Sequence, residues 1–582
     1  MDLFDFLKLI GGLALFLFGM SLMGTGLEKS AGNKLQGFLE NLTTKKFNGF
    51  LVGLGVTSII QSSSATTVMV VGFVNSGIMT LKQAIHVIMG SNVGTTVTAW
   101  ILSLMGIKGD NVFIQLLKPS SFTPVLAMVG IIFYMFIKNE RKKDIGLVLL
   151  GFATLIYGME SMSASVEPLG EMEGFRNLLL LVSNPLLGVL LGAVVTGIIQ
   201  SSSAAVGILL ALSVTGQITL GTAIPIIMGM NIGTCVTALI SSIGTNRNAR
   251  RAALVHLYFN VIGTFVYLTL FVVLNSMFDF AFVNWTANHL YIAITHTSFN
   301  VLCTAMLLPA SGILEKLAYK TIPEDHKEEK VPLLDSRLFS APAVAINRSR
   351  TVTEEMAAIS VNAIKLAFTL ITNYDEKEVK KVRDAEKLTD MYEDALGTYL
   401  VKLSRQNLSA HDSTETAKLL FLIGEFERIA DYAMEVTYSA QELYEKKIQF
   451  SDIAQKELSI MMTAVEEIVE IATKSFINND LLLAAKVDPL EELIDNLRST
   501  MKKNHIDRLQ CNTCTIELGF IFNDLITVLE RISDHCSNIA GCIIEMSHDS
   551  LNMHKYLHKV KREPNNEYFE QLQEYSEKYS IQ

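Results

Sequence analysis

The sequence predicts an all-α chain that consists of a polytopic membrane part and a helical part in the cytoplasm. Three observations predict this class. Apolar stretches fill residues 1–312, these stretches contain an internal repeat, and charged amphipathic segments follow from residue 341. We therefore expect two inverted repeats with re-entrant or broken helices, followed by a pair of three-helix bundles.

The distribution of charge divides the chain. Residues 1–310 hold 16 Lys and Arg against 12 Asp and Glu, whereas residues 311–582 hold 32 against 46. This contrast predicts a membrane domain over 1–312, a linker over 313–340 and a helical domain over 341–582. The acidic balance of the helical domain does not favour nucleic acid as a partner, because nucleic-acid binding requires a basic face.

Two copies of one polar motif interrupt the apolar sequence. IIQSSSATT occupies residues 59–67 and IIQSSSAAV occupies residues 198–206. GSNVGTTVTA at 90–99 and GMNIGTCVTA at 229–238 are related by the same offset of 139 positions. The repeats thus cover about 10–138 and 145–275. The apolar pieces beside each QSSS are shorter than the about 20 residues that cross a bilayer, so re-entrant or broken helices are expected.

Loop charges predict the orientation of the repeats. The basic short loops at 138–143 and 245–251 are expected on the cytoplasmic side of the membrane. The part of the first repeat that holds QSSS then starts inside, near Lys45 and Lys46, whereas that of the second starts outside, after Gly174. The C-terminal domain is cytoplasmic. We expect a multi-pass protein of a bacterial plasma membrane. Inverted repeats with broken helices are typical of secondary transporters, whose sites lie near mid-membrane.

The QSSS motifs have the chemistry of an ion site. Serine hydroxyls and the free N–H groups of a helix N-terminus bind anions, and the remaining amide and hydroxyl oxygens suit a hard cation such as sodium. The motifs at 90–99 and 229–238, which follow QSSS in each repeat, carry further side-chain oxygens. In each motif the spacing places these oxygens on one face of a helix. These residues are Asn92, Thr95 and Thr98 in the first repeat and Asn231, Thr234 and Thr237 in the second. The alternative is that the polar groups only mediate helix packing.

With these motifs, residues 1–312 resemble the bacterial form of the type II sodium-dependent phosphate cotransporters. The resemblance implies sodium-coupled movement of inorganic phosphate by alternating access. It implies phosphate ligands at Ser62, Ser63, Ser64, Ser201, Ser202 and Ser203. It implies sodium ligands at Gln61, Thr66, Thr67, Asn92, Thr95, Gln200, Asn231 and Thr234. The second repeat has Ala205 and Val206 in place of the two motif threonines, so a cation site that uses them exists in one repeat only.

The helical domain carries a second duplication, the pattern E-x-x-x-D. It occurs at Glu386/Asp390, Glu427/Asp431, Glu491/Asp495 and Glu530/Asp534. The i, i+4 spacing puts both carboxylates of a pair on one helix face, which favours a cation site or, alternatively, local ion pairing. Residues 341–582 resemble PhoU, a phosphate-signalling regulator built of two three-helix bundles. This resemblance implies a regulatory role and an iron or zinc cluster at these eight carboxylates.

The leading hypothesis is a sodium-coupled transporter of inorganic phosphate that is regulated by its C-terminal domain. A membrane-anchored phosphate sensor and a phosphate exporter are the alternatives, and a homodimer is left open. We do not expect an enzyme, because the sequence has no nucleophile–base set, P-loop or zinc-hydrolase motif. Five carboxylates that follow or separate apolar stretches of the membrane part are expected in loops, which favours sodium over protons as the coupling ion. They are Asp110, Glu160, Glu167, Glu171 and Glu173.

Overall fold

A computed structural model describes residues 3–31, 45–106, 118–323, 334–406, 408–511, 513–546 and 566–581. The chain forms two compact units, Met1–Ala343 and Val344–Gln582. The described residues are helical with short connections, and their one β feature is an isolated bridge between Thr219 and Thr286. The predicted all-α class is confirmed.

The first unit contains fifteen α-helices in its described part. The helices of the first repeat are α1 (Leu3–Ala31), α2 (Lys46–Ile60), α3 (Ser63–Asn75), α4 (Leu81–Gly94), α5 (Thr96–Ser103) and α6 (Pro119–Phe136). Those of the second are α7 (Glu140–Val166), α8 (Glu173–Val182), α9 (Pro185–Ile199), α10 (Ser202–Ser213), α11 (Leu220–Gly233), α12 (Cys235–Ser241) and α13 (Arg247–Phe278). Two more helices follow, α14 (His289–Leu307) and α15 (Ser311–Thr321).

The second unit begins with two sets of three long helices. The first set is α16 (Pro342–Thr372), α17 (Glu376–Ser404) and α18 (Ala410–Lys446). The second set is α19 (Asp452–Asn478), α21 (Val487–Gln510) and α22 (Ile516–Met546), with the single turn α20 (Leu481–Ala484) before α21. Helix α23 (Asn566–Lys578) is the last described element. This arrangement agrees with the predicted pair of three-helix bundles.

Seven helices of the described chain are long and apolar enough to cross a membrane. Six of these segments lie in the first unit, and the seventh, Pro342–Thr372, is α16 of the second unit. Helix α16 is nevertheless a bundle helix, because its polar groups contact its neighbours. The Ser360 hydroxyl donates to the Phe426 carbonyl at 2.8 Å, and Arg350 donates to the Phe476 carbonyl at 3.1 Å.

Glycines fix the same helix contact in both repeats. A Cβ added at Gly90 would collide with the carbonyl oxygen of Phe50, which lies on α2. A Cβ added at Gly229, the counterpart 139 positions later, would collide with the carbonyl of Val189 on α9. The pairs α2–α4 and α9–α11 therefore pack backbone to backbone in the same way, as small residues allow in membrane helices. The internal repeat is thus present in three dimensions.

Helices α1 and α7 show that the repeats have opposite directions. Gly12 lies against Gly158, and Gly19 lies against Gly151. Gly151 and Gly158 are the counterparts of Gly12 and Gly19. Exchanging the two repeats therefore converts the first contact into the second. Such an exchange corresponds to a two-fold rotation. Along the contact, residue numbers increase on α1 and decrease on α7. Equivalent helices therefore run antiparallel, which is the geometry of inverted repeats.

Two expectations need correction. Glu160 does not lie in a loop: it lies within α7 and within a segment, Arg141–Glu171, that is long and apolar enough to span. Glu167 and Glu171 form a 3₁₀ turn after α7, and Glu173 begins α8. Asp110 lies outside the described residues. The first unit also continues to Ala343, so α15 and the 3₁₀ turn Ser336–Ser340 belong to it, although residues 313–340 were expected to form a linker.

Candidate functional site

Each QSSS motif forms the tip of a helical hairpin. The first helix of each hairpin ends at a glutamine in the left-handed conformation, with φ 59° at Gln61 and φ 58° at Gln200. This conformation is unusual for a residue with a Cβ, and it reverses the chain within two residues. The same strained turn in both repeats indicates that the shape of the tip is under functional constraint.

The serine after each glutamine caps the next helix. The side chain of Ser62 accepts a hydrogen bond from the N–H of Ala65 at 3.2 Å, and that of Ser201 accepts one from Ala204 at 3.2 Å. Helices α3 and α10 then begin at the second serine of each motif. The N–H groups of a first helical turn have no acceptor within the helix, and the N-terminus carries a partial positive charge. Each tip therefore offers donors that suit an anion.

The two tips meet at one cavity of about 290 Å³. The hydroxyl of Ser64 lies 3.4 Å from the backbone oxygen of Gln200, which joins the tips across the repeats. Four residues of each tip line the cavity, namely Gln61, Ser62, Ser63, Ser64, Gln200, Ser201, Ser202 and Ser203. The structure thus brings together all six serines that were expected to bind phosphate, and both glutamines.

One face of α1 completes the wall of this cavity. It contributes Leu17, Met20, Ser21, Gly24 and Thr25. No sequence motif marks these residues, because the polar face of α1 is short and its position depends on packing against α7. The spacing of Ser21 and Thr25, four residues apart within the apolar stretch of α1, is the one local signal for this face. All of the lining residues are uncharged.

The threonine set of the first repeat supports the tips from behind. The hydroxyl of Thr98 donates to the side-chain oxygen of Gln61 at 2.8 Å, and the hydroxyl of Ser203 lies 3.4 Å from that of Thr98. Thr98 therefore connects the two motifs. Its counterpart Thr237 has a buried hydroxyl without a partner in the described structure. The connection is made from one repeat only.

The other residues expected to bind sodium are buried near the tips but do not line the cavity. Two side chains in each repeat bond to carbonyls of their own helices, Asn92 to Ile88 and Thr95 to Ser91, and Asn231 to Ile227 and Thr234 to Asn231. The remaining two lie on α3, where Thr66 bonds to the Ser62 carbonyl at 3.0 Å and Thr67 to the Ser63 carbonyl at 2.9 Å. Their sodium-binding roles remain predictions.

A cluster of three hydroxyls lies behind the first tip. The hydroxyl of Thr57 is 3.0 Å from that of Thr66 and 2.9 Å from that of Ser91. All three residues are buried. Thr196, Ala205 and Met230 occupy the corresponding positions of the second repeat. A hydroxyl cluster of this composition therefore belongs to the first repeat alone.

The second unit contains a separate acidic group. Glu386, Asp390 and Asp431 each place a carboxylate oxygen within 4.8 Å of the others. Burial, followed by the charge of Asp431, raises the pKa of Glu427 to about 7. The pKa of Glu386 is raised by burial and by Asp390 and Asp431. Crowded carboxylates with raised pKa values fit a cation, so the donors present here are suitable for a metal ion.

The other acidic group has an internal cation. Arg498 donates to Glu530 at 3.0 Å and lies 3.6 Å from Asp495. Burial, followed by the neighbouring Asp534, nevertheless raises the pKa of Glu530, and burial likewise raises that of Asp534. The first group also has a guanidinium nearby, since Arg428 lies 3.6 Å from Asp431, but the Arg428 side chain is 60% exposed. The Arg498 side chain is 32% exposed and is hydrogen-bonded to Glu530, so the second group fits a metal ion less well than the group around Asp431.

Comparisons with known proteins agree with this division of the chain. The model of the Na⁺/Pi-cotransporter family matches residues 15–164 and again 154–291, and the PhoU domain model matches 353–440 and 458–543. The two overlapping matches in the first unit correspond to the two repeats. The two matches in the second unit correspond to its two sets of helices.

Individual relatives cover different parts of the chain. YjbB of Salmonella typhimurium, whose name proposes inorganic phosphate export, is 24% identical over 93% of this chain and 97% of that protein. The uncharacterized protein YqeW of Bacillus subtilis is 32% identical over 53% of this chain and 95% of that protein. Sodium-dependent phosphate transport protein 2B of Homo sapiens is 36% identical over 18% of this chain and 15% of that protein.

The resemblance drawn from the QSSS and E-x-x-x-D motifs is therefore confirmed. The family is one of phosphate transporters and not of enzymes. From the family matches, the duplicated tips and the inverted helices, the chain belongs to the Na⁺/Pi-cotransporter family and carries a C-terminal PhoU domain.

Proposed function

We propose that this protein is a secondary active transporter that moves inorganic phosphate across a bacterial plasma membrane together with sodium, by alternating access. The observation that carries the proposal is the meeting of two inverted QSSS tips at one cavity. We further propose that the PhoU domain lies in the cytoplasm and regulates transport.

Inorganic phosphate suits the cavity because it is an anion at neutral pH and its unprotonated oxygens accept hydrogen bonds. Two helix N-termini and six serines supply N–H and O–H donors from opposite directions. In the proposed binding mode, Ser63 and Ser202, the first residues of α3 and α10, hold the anion together with their backbone N–H groups. Gln61 orients the first tip through its side-chain hydrogen bonds with Thr98 and with the Ser58 carbonyl.

Sodium coupling follows from charge. No lysine or arginine is among the cavity-lining residues, so the wall itself does not neutralise phosphate. An unpaired anion is costly to hold in a low-dielectric site, and a bound cation offsets this cost. The hydroxyl and amide oxygens at the first tip are ligands that hard cations prefer. We propose that sodium binds at Gln61 and Gln200 and at the hydroxyl cluster behind the first tip.

Alternating access is supported by the unequal surroundings of α1 and α7. Five residues of α1 between Leu17 and Thr25 line the cavity, whereas the counterpart stretch of α7 does not line it and buries side chains such as Met159 and Met162. On the orientation given by the basic loops, this half of α1 lies toward the cytoplasm. We propose that the structure is an inward-facing state, and that the outward-facing state exchanges the environments of the two helices.

Phosphate export is the second candidate function. It is favoured by the relative named for export, which this chain matches over nearly the whole length of both proteins. The same site serves either direction, because the ion gradients and their coupling decide which way phosphate moves.

The deciding experiment uses purified full-length protein in liposomes and radiolabelled phosphate. We expect accumulation when an inward sodium gradient is imposed and none when potassium replaces sodium. Accumulation that follows a proton gradient instead would contradict the sodium assignment. An exporter would show faster phosphate efflux from loaded liposomes than uptake under the matched, reversed gradient.

A membrane-anchored sensor would give a third pattern. It would bind labelled phosphate and show no accumulation under any gradient. Empty liposomes and liposomes with heat-inactivated protein provide the baselines for all of these measurements.

A further inference from the structure

The segment that leads into the C-terminal domain is fastened to the membrane unit. We call residues 335–341 the strap. It begins at Asp335, contains the 3₁₀ turn Ser336–Ser340 and ends at Ala341, directly before α16. Asp335 is 4% exposed and Leu338 is fully buried, so the strap is seated in the unit and does not hang free.

The strap contacts the end of α3 that lies opposite the QSSS tip. The Asn75 side chain donates to the carboxylate of Asp335 at 2.6 Å. Leu338 packs beside Gly72: a Cβ added at this glycine would lie 3.3 Å from the Leu338 side chain. Arg337 forms an ion pair with Asp335 at 3.2 Å and so holds the strap in its turn.

The strap also contacts the second repeat. Arg337 donates to the carbonyl of Ser241 at 2.6 Å and to that of Ile243 at 3.0 Å, both at the end of α12. The backbone N–H of Asn246, at the start of α13, donates to the side-chain oxygen of Asn75 at 2.8 Å. The Asn246 side chain donates in turn to the Asn75 carbonyl at 2.9 Å. One network thus joins the two repeats and the strap.

Helix α3 connects this network to the cavity. It runs from Ser63 at the tip to Asn75 at the strap, and its thirteen residues span about 20 Å. A helix of this length behaves as a rigid rod, so a displacement of Asn75 is transmitted to the serines at the tip.

Among the described residues, helix α10 of the second repeat has no corresponding contact with the strap. Asn75 corresponds to Val214, which follows α10 and is 43% exposed. Only the tip of the first repeat is therefore tied, through its own helix, to the segment from which the C-terminal domain continues.

We propose that the strap is the element through which the PhoU domain controls transport, with Asn75 and Asp335 as positioning residues for the tip of α3. When the strap is seated, it holds the inner end of α3 against α13 and restrains the movement that alternating access requires. When the domain draws the strap away, α3 is released. This inference rests on the proposed transport function.

A disulfide provides the direct test. A Cβ at Gly72 would lie 3.2 Å from the Cβ of Arg337, close to the 3.5–4.5 Å that a disulfide requires. We expect full-length protein with Gly72→Cys and Arg337→Cys to lose at least about tenfold in transport rate on oxidation, and to regain it with a reductant. Each single cysteine variant, oxidised in the same way, controls for the native cysteines. An oxidised, cross-linked protein that transports as fast as its reduced form would overturn the proposal.

A second variant separates positioning from binding. Asp335→Ala removes the partner of Asn75, and we expect a several-fold higher maximal rate with the KM for phosphate within about twofold of the original. A KM change with an unchanged rate would contradict the strap, since a release of α3 acts on its movement. Melting temperatures of the variants identify any loss that is due to unfolding.

The proposed function and the strap fail in different ways. If the unmodified protein binds phosphate without moving it, the transport proposal is wrong. The strap is then tested by the exchange of bound radiolabelled phosphate, which the cross-link should slow. Equal exchange rates in the oxidised and reduced double variant would overturn the strap as well.

Discussion

The two repeats of the membrane unit share a backbone but differ in the side chains behind it. Both tips have a left-handed glutamine, a serine cap and the same close glycine contacts. Behind the tips, the first repeat has the hydroxyls of Thr57, Thr66 and Ser91, whereas the second has only Thr196 among the corresponding residues. On the proposed function, the symmetric features form the anion site. The asymmetric features would then supply a single cation site and a difference between the two sides of the membrane.

The largest expected effect comes from the features that the repeats share. Ser63→Ala and Ser202→Ala each remove a hydroxyl from the cavity, and a hydrogen bond to a charged group is worth about 1.5–3 kcal/mol. We expect each variant to lower kcat/KM for phosphate by roughly 10- to 100-fold. Radiolabelled uptake into proteoliposomes measures this loss.

Ser213→Ala is the matched control for this pair, because Ser213 lies on α10 and bonds only to the Leu210 carbonyl of its own helix among the recorded contacts. Its uptake should equal that of the unmodified protein. A strong loss in one tip variant and none in the other would contradict the shared site.

The next effect concerns α1 and α7, whose environments should exchange during transport. Ser21 lines the cavity here, and its counterpart is Glu160. We expect Ser21→Cys to react with a membrane-impermeant thiol reagent only from the cytoplasmic side. Glu160→Cys should react only from the outside, and faster under conditions that favour the outward-facing state.

Measurements on oriented vesicles, in a background from which the native cysteines have been removed, distinguish these cases. Reaction of both positions from one side would show that the two helices do not exchange. Such a result would limit alternating access to other parts of the unit.

A moderate effect is expected at the hydroxyl cluster. Thr66→Ala gives the first repeat the residue that the second already has at position 205. Since one neutral hydrogen-bonding group is worth about 0.5–1.5 kcal/mol, the sodium concentration for half-maximal uptake should rise roughly 2- to 10-fold. The KM for phosphate at saturating sodium should change little. An unchanged sodium dependence would exclude the cluster as a sodium site.

The smallest effect extends the comparison to the duplicated acidic groups of the second unit. The folded-state pKa of Glu427 is raised from 4.5 to about 7, so its contribution to stability is present below about 4.5 and is lost as the pH rises through about 7. A bound divalent cation offsets this loss. We therefore expect added Mn²⁺ or Zn²⁺ to raise the melting temperature of the full-length protein by a few degrees at pH 7.5, and by less at pH 5.

Variants of the two acidic groups sharpen this test. Asp431→Asn should remove the cation-dependent shift, because Asp431 lies with Glu386 and Asp390 in the cluster of three carboxylates. Asp495→Asn should leave the shift unchanged, because Arg498 is hydrogen-bonded to Glu530 within that group. Equal losses in both variants would mean that the two groups bind cations alike.

Sequence patterns predicted those parts of the candidate sites that are formed by contiguous motifs and that occur in both repeats. The QSSS tips, the offset of the repeats and the E-x-x-x-D pairs are contiguous motifs, and their pairing follows from the repeat. Ser21, Thr57 and Asn75 have no such signal, because each acquires its role from a helix distant in sequence. The apolar run ends beside Glu160, which predicts a loop there, although the helix continues to Val166. Such positions depend on tertiary packing, which local patterns do not encode.

The antiparallel crossing of α1 and α7 has a consequence for biosynthesis. The glycine face of α1 is made first, but the helix that covers it is made only after the rest of the first repeat. Until α7 is synthesised, the contact surface of α1 is therefore exposed to lipid or to the insertion machinery. We expect chains truncated before α7 to be inserted without folding and to be removed by quality-control proteolysis. The stability of the first repeat in the cell would then depend on synthesis of the second.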